Sequence, residues 1–215
     1  MRIFHRIDDV RISSREIISV LDFFASEVKE FIVAAIPFGF SSNLADRICE
    51  YSNCSVYQHG YKHINHEPHG WCDEFPDTQK KDYTRRLIAK GKRRLECLFD
   101  REIDGYVPPW NNTGSQTICV LKELGFEWYS AQRNHTMSFH HRKDIDIDIT
   151  ALYEPVIIYK PFSTLLDEVK ALSVVQDEIG ILYHFRNTSH MVLSEMFEFV
   201  REVEAFLEES QLVGV

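Results

Sequence analysis

The chain has 215 residues, is 44% hydrophobic and 13% aromatic, and carries a net charge of −9. That length suits one domain, residues 1–215, with a sizeable core, and leaves little room for two. The acidic balance excludes a general nucleic-acid binder, which needs a basic face to release counterions from phosphates, so no nucleic-acid partner is expected.

The opening, MRIFHRIDDV, has no apolar core followed by a small-residue cleavage site. The longest apolar stretch, Phe31 to Phe40, is broken by Pro37. Neither a signal peptide nor a membrane span is read, and a cytoplasmic location is expected. Cys49, Cys54, Cys72, Cys97 and Cys119 fit no zinc-ribbon or redox spacing and read as reduced thiols.

Residues 2–9 read as a short strand that ends in two acids. Ser13 with Glu16 forms a capping-box pattern, and Ile17, Leu21, Phe24 and Val28 follow at helical spacing. The run FIVAAI, ended by Pro37 and Gly39, suits a fully buried strand of a parallel sheet. A short helix over 44–51 and a strand over 55–58 lead into a loop rich in His, Pro and Gly, 59–77. A long helix is expected over 81–99, weakened at Gly91 by about 1 kcal/mol relative to Ala. Its basic residues, from Lys80 to Arg94, read as a solvated face.

A brief strand over 104–107 runs into Pro108-Pro109, and a helix over 115–124 is stopped by Gly125. Residues 127–131 are strand-like. Asp144-Ile-Asp-Ile-Asp-Ile alternates with period two, as in a half-exposed edge strand or extended loop. It lacks the glycine and closing Glu of a calcium loop. A helix over 162–172, a strand over 179–184 and an amphipathic helix over 189–209 complete the chain.

Alternating strands and helices predict an α/β fold around a mainly parallel sheet. A barrel or partly open barrel fits about seven units, with an open doubly wound sheet as the alternative. Ile7-Asp-Asp-Val-Arg stands where a glycine-rich phosphate loop would follow the first strand, which argues against dinucleotide binding.

Three segments just after predicted strands are candidates for chemistry, because sites form at that edge of parallel sheets. Adjacent acids on an extended chain point in opposite directions, but a turn at the strand end presents both Asp8 and Asp9 to a cleft, one for a cation and one as a base. His59 and His63 are four apart and meet one metal if the segment makes a helical turn, and imidazole suits zinc. Pro108 and Pro109 stiffen a loop and fix the direction of the Trp110 N–H, as an oxyanion donor requires. Asn65 and His66, with Pro109 and Asn111, are candidates for the substrate side of the site. Trp71, Trp110 and Trp128 are candidates for stacking on sugar rings, with packing in the core the alternative. A rigid turn around a packed Trp is the structural alternative for the Pro loop.

Together, Ile7-Asp8-Asp9, His59-Gly60-Tyr61-Lys62-His63, Pro108-Pro109-Trp110 and Leu182-Tyr183-His184 resemble, in order and spacing, the motifs of the NodB-like polysaccharide deacetylases, carbohydrate esterase family 4. The resemblance runs from residue 7 to about 186 and is nearest to a divergent branch with an HGYxHxNH run and a PPWN loop. It implies a single-domain, distorted (β/α) barrel of about seven mainly parallel strands. It implies that Asp9, His59 and His63 hold a divalent metal, zinc being the first expectation. Asp8 would be the base, the Trp110 N–H the oxyanion donor and His184 the acid. The substrate would be an N- or O-acetylated carbohydrate.

The sequence departs from the family at two points. Val107 stands where the family carries an Arg that orients its catalytic Asp, with Arg133 or Arg11 as substitutes. Residues 125–130 offer Glu127 in place of an Asp that tunes the catalytic His. Hydrolysis of a non-sugar amide, or a metal-retaining carbohydrate binder without activity, are the alternatives.

Overall fold

A computed structural model of the chain describes residues 1–133, 137–151, 161–185 and 190–212. Eight strands form one sheet: β1 (Arg2–Val10), β2 (Phe31–Ala35), β3 (Cys54–His59), β4 (Gly105–Val107), β5 (Trp128–Gln132), β6 (His141–Ile145), β7 (Ile147–Ala151) and β8 (Glu178–Phe185). Every pairing is parallel, in the order β6-β5-β4-β3-β2-β1-β8-β7. Among the described residues six helices surround it: α1 (Arg15–Glu27), α2 (Ser42–Cys49), α3 (Lys81–Phe99), α4 (Ser115–Glu123), α5 (Phe162–Ser173) and α6 (His190–Leu212). None of them is long and apolar enough to cross a membrane.

The two terminal strands of that order, β6 and β7, are neighbours in the chain, separated only by Asp146. The stretch 141–151 therefore bends from β5 onto β8 and draws the sheet into a nearly closed barrel. The Asp146 N–H donates to the Gly180 carbonyl (2.9 Å), and the Gly180 N–H donates to Asp146 Oδ2 (3.0 Å). A side chain at 180 would overlap the Asp144 carbonyl, so glycine is required for this approach. The alternating Asp144–Ile149 run is thus a closing stave rather than an edge strand or loop, and counting it as one bent strand gives seven staves.

Two apolar clusters follow from period-two alternation. One draws only on strands: Phe4, Ile32, Ala34, Tyr57, Val107, Ile145 and Leu182, with Trp128 against them. It fills the barrel interior, as side chains do in closed parallel barrels. The other joins the outward strand residues, such as Ile3, Ile7 and Val33, to the buried stripes of all six helices. Burying each large aliphatic or aromatic side chain there stabilises the fold by about 1.5–3 kcal/mol.

Two local expectations change. Helix α1 is capped by Ser14, whose side chain accepts from the Ile17 N–H, so the cap lies one residue beyond Ser13. Gly91 in α3 is not merely a weak point. A Cβ there would overlap the Gln58 amide and Pro37, so glycine lets α3 approach β3 closely. Ser189, at the expected start of the last helix, lies outside the described residues.

Candidate active site

The carboxyl ends of the parallel strands meet at one mouth of the barrel. At the end of β1 the pairing with β2 shifts register between Ile7 and Val10, and Asp9 adopts φ +62°. This bulge resolves the problem of adjacent acids. Phe4, Arg6 and Asp8 continue along the inward face, and the left-handed residue turns Asp9 toward the same mouth.

His59 ends β3. Its Nδ1 lies 3.1 Å from the Val107 carbonyl. With Nδ1–H donating there, the lone pair is on Nε2, the tautomer that suits a metal ligand. Nε2 is buried and makes no hydrogen bond among the described residues, and it faces Asp9 Oδ1 at 3.5 Å. His63 Nε2 lies 3.1 Å from the same oxygen. The ligand atoms of Asp9, His59 and His63 all fall within 4.8 Å of one another. Donors around a tetrahedral ion sit about 3.4 Å apart, so a carboxylate and two imidazoles at this spacing fit a divalent metal.

The histidines do not converge through a helical turn. Gly60 (φ +55°) and His63 (φ +59°), both left-handed, fold the segment back on itself and bring the rings to a centroid distance of 4.9 Å. The buried Glu74 carboxylate holds this reversal, accepting from the Tyr61 N–H (3.0 Å) and the Lys62 N–H (2.6 Å). Burial raises the Glu74 pKa, and those backbone donors oppose the rise. A side chain at Gly60 would overlap Glu74 and Pro109.

After β4, Pro109–Asn111 make a short 310 turn in which Trp110 (φ +55°) and Asn111 (φ +54°) are left-handed. Among the described residues, four of the five non-glycine residues with positive φ, Asp9, His63, Trp110 and Asn111, thus lie at this mouth. Such backbone is disfavoured for side-chain-bearing residues and gathers at functional sites. The bonds of the turn run from the Asn111 N–H to Pro108 O and from the Asn112 N–H to Pro109 O, so they leave the Trp110 N–H unused. The Trp110 ring sits 4.4 Å from that of His63 and is 39% exposed.

His184 on β8 faces two carboxylates. Its Nε2 is 3.7 Å from Asp8 Oδ2 and its Nδ1 is 3.5 Å from Asp148 Oδ1. Burial works to lower its pKa, but the Asp148 hydrogen bond and the charges of Asp8, Asp148 and Asp9 outweigh that and leave it raised. The carboxylate beside His184 Nδ1 is thus Asp148 and not Glu127, which lies exposed before β5 at the opposite end of the barrel.

Asp8 is held neither by Arg133, which pairs with Asp146 and Asp144, nor by Arg11. Its partner is Arg6, fully buried, which donates from Nε to Oδ1 (2.8 Å) and from Nη2 to Oδ2 (2.9 Å). Arg6 also donates to Ser130 Oγ (2.8 Å) and Asn111 Oδ1 (2.7 Å). Alternation along β1 was the signal for this pair, since residues two apart share a strand face. Glu74 had no comparable signal in the sequence.

Of the residues expected on the substrate side, Pro109 is buried against Gly60 and Asn111 faces Arg6. Asn65 and His66 are exposed and shape the loop. Asn65 Oδ1 accepts from the Glu67 and Asp73 N–H groups, and His66 Nδ1 lies 2.7 Å from the Glu74 carbonyl. Asn112 Nδ2 donates to the Cys72 carbonyl (3.1 Å), tying the Trp110 turn to the loop that carries Trp71. Trp71 is 88% exposed, while Trp128 packs against the barrel interior.

No family model matches the sequence, and no curated protein matches it. Solved structures do share the fold. A pseudoenzyme of carbohydrate esterase family 4 from Bacillus anthracis aligns at TM-score 0.65 and 14% identity, over 97% of this chain and 60% of its own. A family 4 acetyl xylan esterase from Clostridium thermocellum, in complex with a cobalt ion, aligns at 0.61 and 11%, over 100% and 93%. A family 4 carbohydrate esterase from Streptomyces lividans, in complex with acetate, aligns at 0.60 and 11%, over 96% and 87%. The chain spans about three-fifths of the length of the first of these. Its fold is that of the family 4 carbohydrate esterases.

Proposed function

We propose that the chain is a divalent-metal-dependent hydrolase that removes acetyl groups from an N- or O-acetylated carbohydrate. The observation that carries this reading is the convergence of Asp9, His59 and His63 on one point, beside Asp8 and His184, at the carboxyl mouth of the barrel. Asp9 Oδ1, His59 Nε2 and His63 Nε2 would hold the ion, with zinc the first expectation for one carboxylate and two imidazoles. When bound, such an ion supplies Lewis acidity toward an acyl carbonyl and lowers the pKa of water.

The chain's own residues supply the rest. Asp8 takes the proton released by the attacking water. The Trp110 N–H, directed by the prolines before it, donates to the oxygen that gains charge as the carbonyl carbon becomes tetrahedral. His184 holds a proton between Asp8 and Asp148 and gives it to the leaving nitrogen or oxygen. Water is thereby divided across the acyl bond, giving acetate and an amino or hydroxyl group on the sugar.

A second reading, a metal-retaining glycan binder without turnover, is favoured by one observation. Both oxygens of Asp8 already accept from Arg6, which favours a structural carboxylate over a base. One experiment separates the two. Protein stripped of metal and then reloaded with zinc or cobalt is assayed for acetate release from acetylated oligosaccharides. The hydrolase reading expects release that depends on the metal and is lost in Asp8→Asn, whereas glycan binding without acetate release by the loaded protein supports the binder.

A further inference from the structure

The Arg6 guanidinium touches more than Asp8. It has five N–H donors, and four are engaged: one on Asp8 Oδ1, one on Asp8 Oδ2, one on Ser130 Oγ and one on Asn111 Oδ1. Ser130 donates its own hydroxyl proton to the Lys143 carbonyl (2.7 Å), which leaves a lone pair for Arg6. The partners come from β1, β5 and the turn after β4, so one cation crosses the barrel interior and joins two of its staves to that turn.

We propose that Arg6 is a dual positioning residue, fixing the Asp8 carboxylate and, through Asn111, the turn that aims the Trp110 amide. The inference rests on the reading of Asp8 as the base and goes beyond it, because one guanidinium then sets both the base and the oxyanion donor. Nη2 is the shared element, with one hydrogen toward Asp8 Oδ2 and the other toward Asn111 Oδ1. A carboxylate gripped at both oxygens has no freedom to rotate about its terminal bond, so its remaining lone pairs keep a fixed direction. Trp110 and Asn111 are both left-handed, a conformation that a side-chain-bearing residue keeps only where its surroundings hold it. The 310 bonds of the turn and the Arg6–Asn111 link supply that hold. Asn111 is thereby an anchor for the turn, with its side chain spent on Arg6. Lysine cannot replace the arginine, since an ammonium has no planar fork to span Asp8 and reach two further acceptors.

The test uses full-length Arg6→Lys, Asn111→Ala and the double variant, read by kcat and KM on an acetylated oligosaccharide, by cobalt titration and by the Arg6 Nε–H resonance in NMR. Misplacing a base or an oxyanion donor acts on the chemical step, so kcat is expected to fall about 100-fold in Arg6→Lys and about tenfold in Asn111→Ala. KM and cobalt affinity should stay within about threefold of wild type. Because both changes break one link, the double variant should be close to Arg6→Lys alone, well short of the product of the two losses. In the wild type the Nε–H should exchange slowly and should shift in both Asp8→Asn and Asn111→Ala. Multiplicative losses, an Arg6→Lys enzyme of near-normal kcat, or an Nε–H that ignores both substitutions would overturn the proposal. If Arg6→Lys fails to fold, Asn111→Ala still decides it by kcat and by the resonance. A wild type that releases no acetate defeats the hydrolase reading alone, and the resonance then tests the positioning.

Discussion

Glu74 is not one of the three candidate metal ligands, yet replacing it should weaken metal binding more than it weakens the fold. Its carboxylate accepts from the Tyr61 and Lys62 N–H groups, at 3.0 and 2.6 Å, and so holds the reversal that brings His63 to His59. Hydrogen bonds to a charged acceptor are worth about 1.5–3 kcal/mol each. In Glu74→Gln one oxygen still accepts, but the other becomes an NH2 facing a backbone N–H, a loss of about 2 kcal/mol. Expressed as disorder of the reversal, that lowers metal affinity about 30-fold, within the range for groups behind metal ligands. Stability moves less. Burial raises the Glu74 pKa, so the buried charge destabilises the fold increasingly as pH rises above the ordinary carboxylate range, and a neutral amide removes that cost. The assay is zinc competition against a chromophoric chelator at neutral pH, with thermal melting of the metal-free protein alongside. Wild-type zinc affinity in Glu74→Gln would refute the argument that this carboxylate orders the site.

Gly60→Ala places a side chain against Glu74 and Pro109 at φ +55°, and the combined backbone strain and overpacking should cost about 2–4 kcal/mol in chemical denaturation. Asp73 is 6% exposed, and burial pushes its pKa up to about 6. The folded state therefore holds a proton that the unfolded chain has released, and stability should fall as pH rises from about 4 to about 6. Asp73→Asn should flatten that fall, by about 1 kcal/mol after solvent screening, in melting curves taken across the window. Removing the Asp148 charge should lower the His184 pKa, so in Asp148→Asn the alkaline loss of deacetylation should move to lower pH while zinc affinity holds. An unmoved alkaline limb would place the acid elsewhere.

Much of this site was legible because its chemistry sits where strands end. The run FIVAAI, the Asp8-Asp9 pair ending a strand and His59 at the end of another each read correctly in one dimension, since burial and periodicity are local. What the sequence hid was long-range or conformational. Whether 144–149 lay at an edge or closed the barrel depended on which strands it met on either side, and alternation is the same in both cases. The convergence of His59 and His63 came from two left-handed residues rather than a helical turn, and a histidine at φ +59° is not predictable from propensity. Glu74 acts through backbone donors in a loop whose path local rules do not fix. Arg6 shares a strand face with Asp8 by alternation, whereas the family resemblance pointed to an arginine near Val107, so the partner of Asp8 two residues upstream on β1 was not expected.

The central claim is that one ion sits among Asp9, His59 and His63. Anomalous diffraction at the zinc edge, from crystals grown with one equivalent of zinc, tests it directly. The account predicts a single strong peak about 2.0–2.2 Å from Asp9 Oδ1, His59 Nε2 and His63 Nε2. Zinc bound elsewhere on the chain, with these three side chains turned away from one another, would contradict it.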